Sequence, residues 1–170
     1  MTTKVSTLTA LTYATERHFA QIRKYTGEPY IEHPIAVAGM VREYCSSLGV
    51  PDEHSNIAVA AALLHDVVED TDATIEDIYK EFGPEVAEYV WYLTKPPEFI
   101  GIRAQRKLLD QNRLALAPQI VKAIKTFDLY HNSKSIEQYD PDFYKTWSVE
   151  RNSLLDAMQT QALYFQIAPK

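Results

Sequence analysis

His65 and Asp66 close the apolar run AALL, and two more carboxylates, Glu69 and Asp70, follow within a turn. Continuous helical spacing would put His65 over Glu69 and Asp66 over Asp70, so that all four side chains share one broad face. Like charges spaced this way destabilise a helix by about 0.2–0.5 kcal/mol per pair. No Lys or Arg lies from Glu43 to Tyr79, so the segment brings no cation of its own. Two further residues extend the set: His33, just ahead of Pro34, and Asp128, inside the mostly apolar IVKAIKTFDLY. Aspartate is a poor helix-interior residue and is seldom buried without a partner. Two imidazoles and two carboxylates suit a borderline divalent cation such as Mn, Fe or Zn, with positions left for water.

Each residue also has an ordinary structural role open to it. His33 can cap or pack beside a loop, His65 and Asp66 can form a helix C-terminal polar cluster, and Asp128 can pair with Lys122 or Lys125. A bare His-Asp dipeptide is expected by chance about one time in three at this composition, so it decides nothing without corroboration. His18, His54 and His131 are read as non-ligands.

The elements that must position these residues read as helices throughout, because apolar residues recur at three-and-four spacing and alternating runs are rare. The expected class is all-α. A first helix is expected through STLTALTYATERHFAQIR, then a loop at TGEPY. A second runs through HPIAVAGMVREYCSSLG, with Pro34 in its first turn and Gly49 at its end. The third, EHSNIAVAAALLHDVV, is apolar all round and therefore central, with Asp52 as its cap and His65 at its exit. TIEDIYKEFG and PEVAEYVWYLTK give two shorter helices, PPEFIG a loop, and the last two helices cover APQIVKAIKTFDLYHNSKSI and PDFYKTWSVERNSLLDAMQTQALYF.

At 170 residues and 46% hydrophobic content, the chain is long enough for one sizeable core and is read as a single domain over 1–170. A net charge of −6 with no basic stripe argues against nucleic acid as a partner. The lone Cys45 excludes an internal disulfide and a thiolate metal cluster. The longest apolar run, IAVAAALL, is too short to span a bilayer, and the N-terminus has no signal-type apolar core. The expectation is a cytoplasmic protein with no membrane role. Homo-oligomerisation is compatible with the sequence.

The order QIRKYTGEPYIEHPIAVA, AALLHDVVEDT, FGPEVAEYVWYLTK and IKTFDLYHN resembles the hydrolase domain of the RelA/SpoT proteins, within the HD phosphohydrolase superfamily. The resemblance covers roughly residues 13–135, and the chain's length makes it look like a stand-alone small alarmone hydrolase. It implies a helical HD-domain fold with a metal site between helices. It also implies one Mn2+ per chain on His33, His65, Asp66 and Asp128, and a Glu69–Asp70 pair that orients or activates the attacking water. The implied reaction removes the 3′-diphosphate of a (p)ppGpp-type nucleotide.

For the substrate, Arg23 and Lys24 match the family's RK and are expected to meet base or phosphates, and Asn132 matches an asparagine near the nucleoside. Arg103, Arg106 and Lys107 form a second basic cluster that could reach the 5′-phosphates or simply line a solvated helix face. Tyr30, Thr94 and Lys95 fall in matched motifs without an assigned role. The chain departs from the family around Asp128: Phe127 stands where the family has a small residue and Leu129 where it has an arginine. Guanosine and adenosine alarmones are therefore both open. The alternatives are an HD phosphohydrolase for another nucleotide, such as (p)ppApp or a nucleoside triphosphate, and a non-catalytic alarmone-binding module.

Overall fold

The computed structural model describes residues 5–168, the side chain of Glu98 apart, and the fold among them is all-α. It groups into two compact units, residues up to Thr94 and residues from Lys95.

In the first unit the core is α3 (Asp52–Leu64). Every residue from Ile57 to Leu64 is buried, which is why this helix shows no polar face. α1 (Thr7–Arg17), α2 (Glu32–Ser47) and α6 (Pro84–Leu93) pack around it. Asp52 lies in the first turn of α3 and Pro51 occupies the cap, so the expected aspartate cap is displaced by one residue. Its carboxylate still sits at the positive end of the helix dipole. α5 (Ile75–Phe82) opens on a capping box in which Thr74 and Asp77 exchange hydrogen bonds, and Gly83, at φ 88°, turns the chain into Pro84 of α6.

Two boundaries differ from the sequence reading in ways that matter for the site. α1 stops at Arg17, and residues 18–31 form a tight loop in which Arg23 N–H donates to Glu28 O and Tyr30 N–H to Gln21 O. The central helix stops at Leu64, with α4 (Val67–Asp70) restarting as a single turn. The break has a local cause. His65 Nδ1 bonds the Ala62 carbonyl at 2.7 Å, the acceptor that a continuous helix would give to the Asp66 N–H. Asp66, at φ −101° and ψ −5°, then leaves the helical line.

The second unit contains α7 (Arg103–Ala115), α8 (Gln119–Tyr139), α9 (Pro141–Met158) and α10 (Gln161–Ile167). α8 and α9 pack together, with α7 and α10 against both. α7 is an addition to the expected helices: charged and amide side chains dominate it, and only Asp110 and Leu114 of its residues are buried. The expected last helix is two, separated at Gln159, which takes the left-handed conformation at φ 59°. No helix among the described residues is long and apolar enough to cross a membrane.

Candidate metal centre and active site

His33 is delivered by the first turn of α2 and His65 by the end of α3, both side chains essentially buried, at 0% and 1% exposure. Asp66 follows directly. The Asp66 Oδ2 atom lies 2.9 Å from His65 Nε2 and 3.6 Å from His33 Nε2, and the two rings meet edge to face at 5.1 Å. One ligand atom from each of the three residues lies within 4.8 Å of the others. A carbonyl can only accept, so the His65 ring places its Nδ1 proton on Ala62 and turns Nε2 toward the carboxylate. In the neutral ring that nitrogen carries a lone pair. Imidazole and carboxylate electron pairs thus converge on a small buried volume, the donor set a borderline divalent cation takes. The backbone bond on the far nitrogen is the usual way a ligating histidine is oriented.

The carboxylate is held from outside as well. Tyr30 donates its hydroxyl to Asp66 Oδ2 at 2.6 Å. Glu69 and Asp70 stand on the turn after Asp66, half-buried and exposed respectively, and the Asp70 N–H donates to Asp66 O. Neither belongs to the three-residue cluster. Arg23, on the loop after α1, sets its guanidinium 5.9 Å from the centre of the Tyr30 ring, and Lys24 is exposed beside Tyr25. His18, His54 and His131 are outside the cluster. His18 is buried against the Tyr30 ring and His54 is exposed.

Asp128 lies on α8, nearly buried, and both of its oxygens accept hydrogen bonds at 2.7 Å: Oδ2 from Lys125 and Oδ1 from Asn132. The pairing with Lys125 is one of the structural roles the sequence left open. Phe127 and Leu129 are both buried. A cation does neighbour Asp128, supplied by Lys125 one turn earlier rather than by the residue that follows. Asn132 is tied to this carboxylate directly.

The second basic cluster is partly committed to protein partners. Arg103 grips Glu150 through Nε and Nη2 at 2.9–3.2 Å, and Lys107 reaches the same carboxylate at 3.1 Å. Burial pushes the Glu150 carboxyl up, but the hydrogen bonds and charges of Arg103 and Lys107 outweigh it and hold the group below the ordinary carboxylate range. Arg106 donates to the Gly101 carbonyl. Together with Lys95 and Asp110, these three cations line a hollow of about 240 Å³.

Sequence reasoning left two residues without a role here, Gln21 and Tyr30. Tyr30 sits three residues before His33, a spacing that carries it onto the same side of the chain as that histidine. Gln21 has no such signal, because its partner at Asp70 is a backbone carbonyl.

The family model described as HD domain matches residues 10–138, and the chain belongs to the HD-domain family. Within that family its relatives are of the SpoT/RelA hydrolase kind. A probable guanosine-3′,5′-bis(diphosphate) 3′-pyrophosphohydrolase of Synechocystis is 39% identical over 137 residues, and the corresponding enzyme of Haemophilus influenzae is 38% identical over 133. These matches cover 78% and 76% of this chain but only 17% and 18% of the relatives, so the chain spans under a fifth of their length. Among solved structures, a metazoan ortholog of SpoT that hydrolyses ppGpp matches with a TM-score of 0.76 and 30% identity, over 90% of this chain and 85% of that one. A Listeria monocytogenes protein matches with a TM-score of 0.62 and 28% identity, over 80% and 84%. The HD-domain match and the His-Asp cluster together mark a divalent-metal site.

Proposed function

We propose that this chain is a manganese-dependent pyrophosphohydrolase that removes the 3′-diphosphate of a (p)ppGpp-type nucleotide, with residues 1–170 acting as one HD phosphohydrolase domain. The observation that carries this reading is the convergence of His33, His65 and Asp66 directly before the Glu69–Asp70 turn. The likeness to a ppGpp-hydrolysing SpoT ortholog over most of both chains supports the substrate class.

His33, His65 and Asp66 would hold the metal, with Asp128 assigned as a fourth ligand by its sequence pattern. Bound there, a divalent metal supplies Lewis-acid polarisation of a phosphoryl oxygen and a lowered pKa for water. The chain's own residues do the rest. His65, locked by its bond to Ala62, and Asp66, held by Tyr30, keep their lone pairs fixed, so little reorganisation accompanies reaction. Glu69 and Asp70 lie outside the three-residue donor cluster, where a carboxylate within a hydrogen bond of water can take its proton. That proton is returned to the 3′-oxygen as the nucleoside–phosphate bond breaks, leaving GDP and pyrophosphate from ppGpp. Arg23 and Lys24 offer the nucleotide a planar stacking and forked donor and a point charge respectively. Asn132 is assigned to the nucleoside. Arg103, Arg106 and Lys107 are assigned to the 5′-phosphates, since the hollow they line with Lys95 carries an excess of positive charge.

Incubation of purified protein and Mn2+ with ppGpp, ppApp and GTP, with products resolved by ion-exchange chromatography, tests the reading. Pyrophosphate and GDP from ppGpp are expected. Release from ppApp alone would move the substrate to adenosine alarmones, release from GTP alone to triphosphates, and binding of ppGpp without turnover would leave an alarmone-binding module.

A further inference from the structure

We propose that Gln21 and Tyr30 are positioning residues that brace the His65–Asp70 turn at both ends from one loop: Tyr30 fixes the Asp66 oxygen that faces the imidazoles, and Gln21 fixes the backbone at Asp70. The inference rests on the pyrophosphohydrolase reading, in which Asp66 is a ligand and Asp70 acts on water.

At the first end, the Tyr30 hydroxyl donates to Asp66 Oδ2 at 2.6 Å, and this is the same oxygen that lies 2.9 and 3.6 Å from the two Nε2 atoms. A carboxylate oxygen has two lone pairs. Tyr30 takes one and thereby aims the other at the histidines. Tyr30 is itself held: its ring lies against the buried His18 at 4.7 Å, and its backbone N–H donates to the Gln21 carbonyl at 2.9 Å.

At the other end, Gln21 Nε2 donates to the Asp70 carbonyl at 2.9 Å, while its Oε1 accepts from His18 Nδ1 at 2.8 Å. The amide is fixed at both of its atoms and flipping it loses both bonds. Asp70 closes α4, a helix of four residues. Such a helix is far below the length that is stable alone, and its final carbonyls have no intrahelical donor. The Gln21 amide supplies one. Gln21 thus bonds Tyr30 through its main chain and Asp70 through its side chain. A third tie, Arg17 to Asp72 at 2.8 Å, is solvent-exposed and contributes little.

The consequences at the two ends are separable. Loss of a hydrogen bond that orients a metal-binding carboxylate typically weakens metal affinity by 10- to 100-fold. Loss of registry in a group that acts on the reacting water lowers turnover, since a misplacement of about 1 Å can cost on the order of 10²-fold. Tyr30→Phe and Gln21→Met are compared with the parent protein by calorimetric Mn2+ titration, by thermal melting and by steady-state hydrolysis of ppGpp. Tyr30→Phe is expected to weaken Mn2+ binding by about 10- to 100-fold. Gln21→Met is expected to keep the parent's Mn2+ affinity and KM while kcat falls by about tenfold or more. Should Gln21→Met fail to fold, Gln21→Glu keeps an acceptor for His18 and removes the donor to Asp70, and its kcat is read instead. Parent-like Mn2+ affinity in Tyr30→Phe, or parent-like kcat in the Gln21 variant, overturns the brace. Absence of ppGpp hydrolysis in the parent overturns the assigned reaction instead, and the Mn2+ titration still decides the Tyr30 arm.

Discussion

If His33, His65 and Asp66 hold a metal only in the folded state, the metal must raise thermal stability by an amount its concentration sets. A ligand present at 100 times its Kd stabilises by about 2.7 kcal/mol. In a chain of this size each kcal/mol moves Tm by about 2–4 °C, so the expected rise is roughly 5–11 °C. His65→Ala should abolish that rise. The substitution also removes a buried ring and its 2.7 Å bond to Ala62, worth about 0.5–1.5 kcal/mol, so the metal-free protein melts lower as well. The diagnostic quantity is therefore the difference between metal-loaded and metal-free Tm within each variant, measured by circular dichroism after chelation and stepwise Mn2+ addition. His54→Ala, at an exposed position outside the cluster, is the control and should keep the parent's rise. A full rise in His65→Ala, or none in the parent at saturating Mn2+, would refute the ligand assignment.

Glu69→Gln and Asp70→Asn should retain metal and Tm while losing about 10²- to 10⁴-fold in kcat, the usual contribution of a positioned proton-transfer carboxylate; parent-like kcat in both removes them from the mechanism. Arg23→Ala should raise KM for ppGpp with little change in Tm, because the side chain lies partly in solvent on a loop; a large drop in Tm at constant KM would make it structural. Glu150 supplies a pH signature. Its folded pKa is depressed, so its pairing with Arg103 and Lys107 adds stability above the unfolded value near 4.3, and this is lost as pH falls through the lower folded value. Glu150→Gln should thus lower unfolding free energy at pH 7 by about 0.2–1 kcal/mol and by less at pH 3, as read from urea melts; an equal difference at both pH values would exclude the ion pair as its source.

The sequence by itself determined the helical class and the central position of α3, and it singled out His33, His65 and Asp66, which the structure brings together. The reason is that each was written locally: an unbroken apolar run has to be buried, and the His-Asp pair and the His ahead of Pro34 carry their chemistry in their residue types. The resemblance to the RelA/SpoT hydrolase domain rested on the same contiguous motifs. Tertiary structure decided what depended on partners distant in sequence. His65–Asp66 leaves the helix because one ring takes a backbone carbonyl, which periodicity does not encode. α7 was hidden because it buries little of its surface. The cation beside Asp128 turned out to be Lys125, one of two lysines that spacing alone could not separate. The brace of Gln21 and Tyr30 joins residues 36 to 49 positions apart, one of them through a main-chain oxygen that has no side-chain identity to read. Local chemistry is legible in a sequence, whereas the hydrogen bonds that aim it are set only when the chain closes on itself.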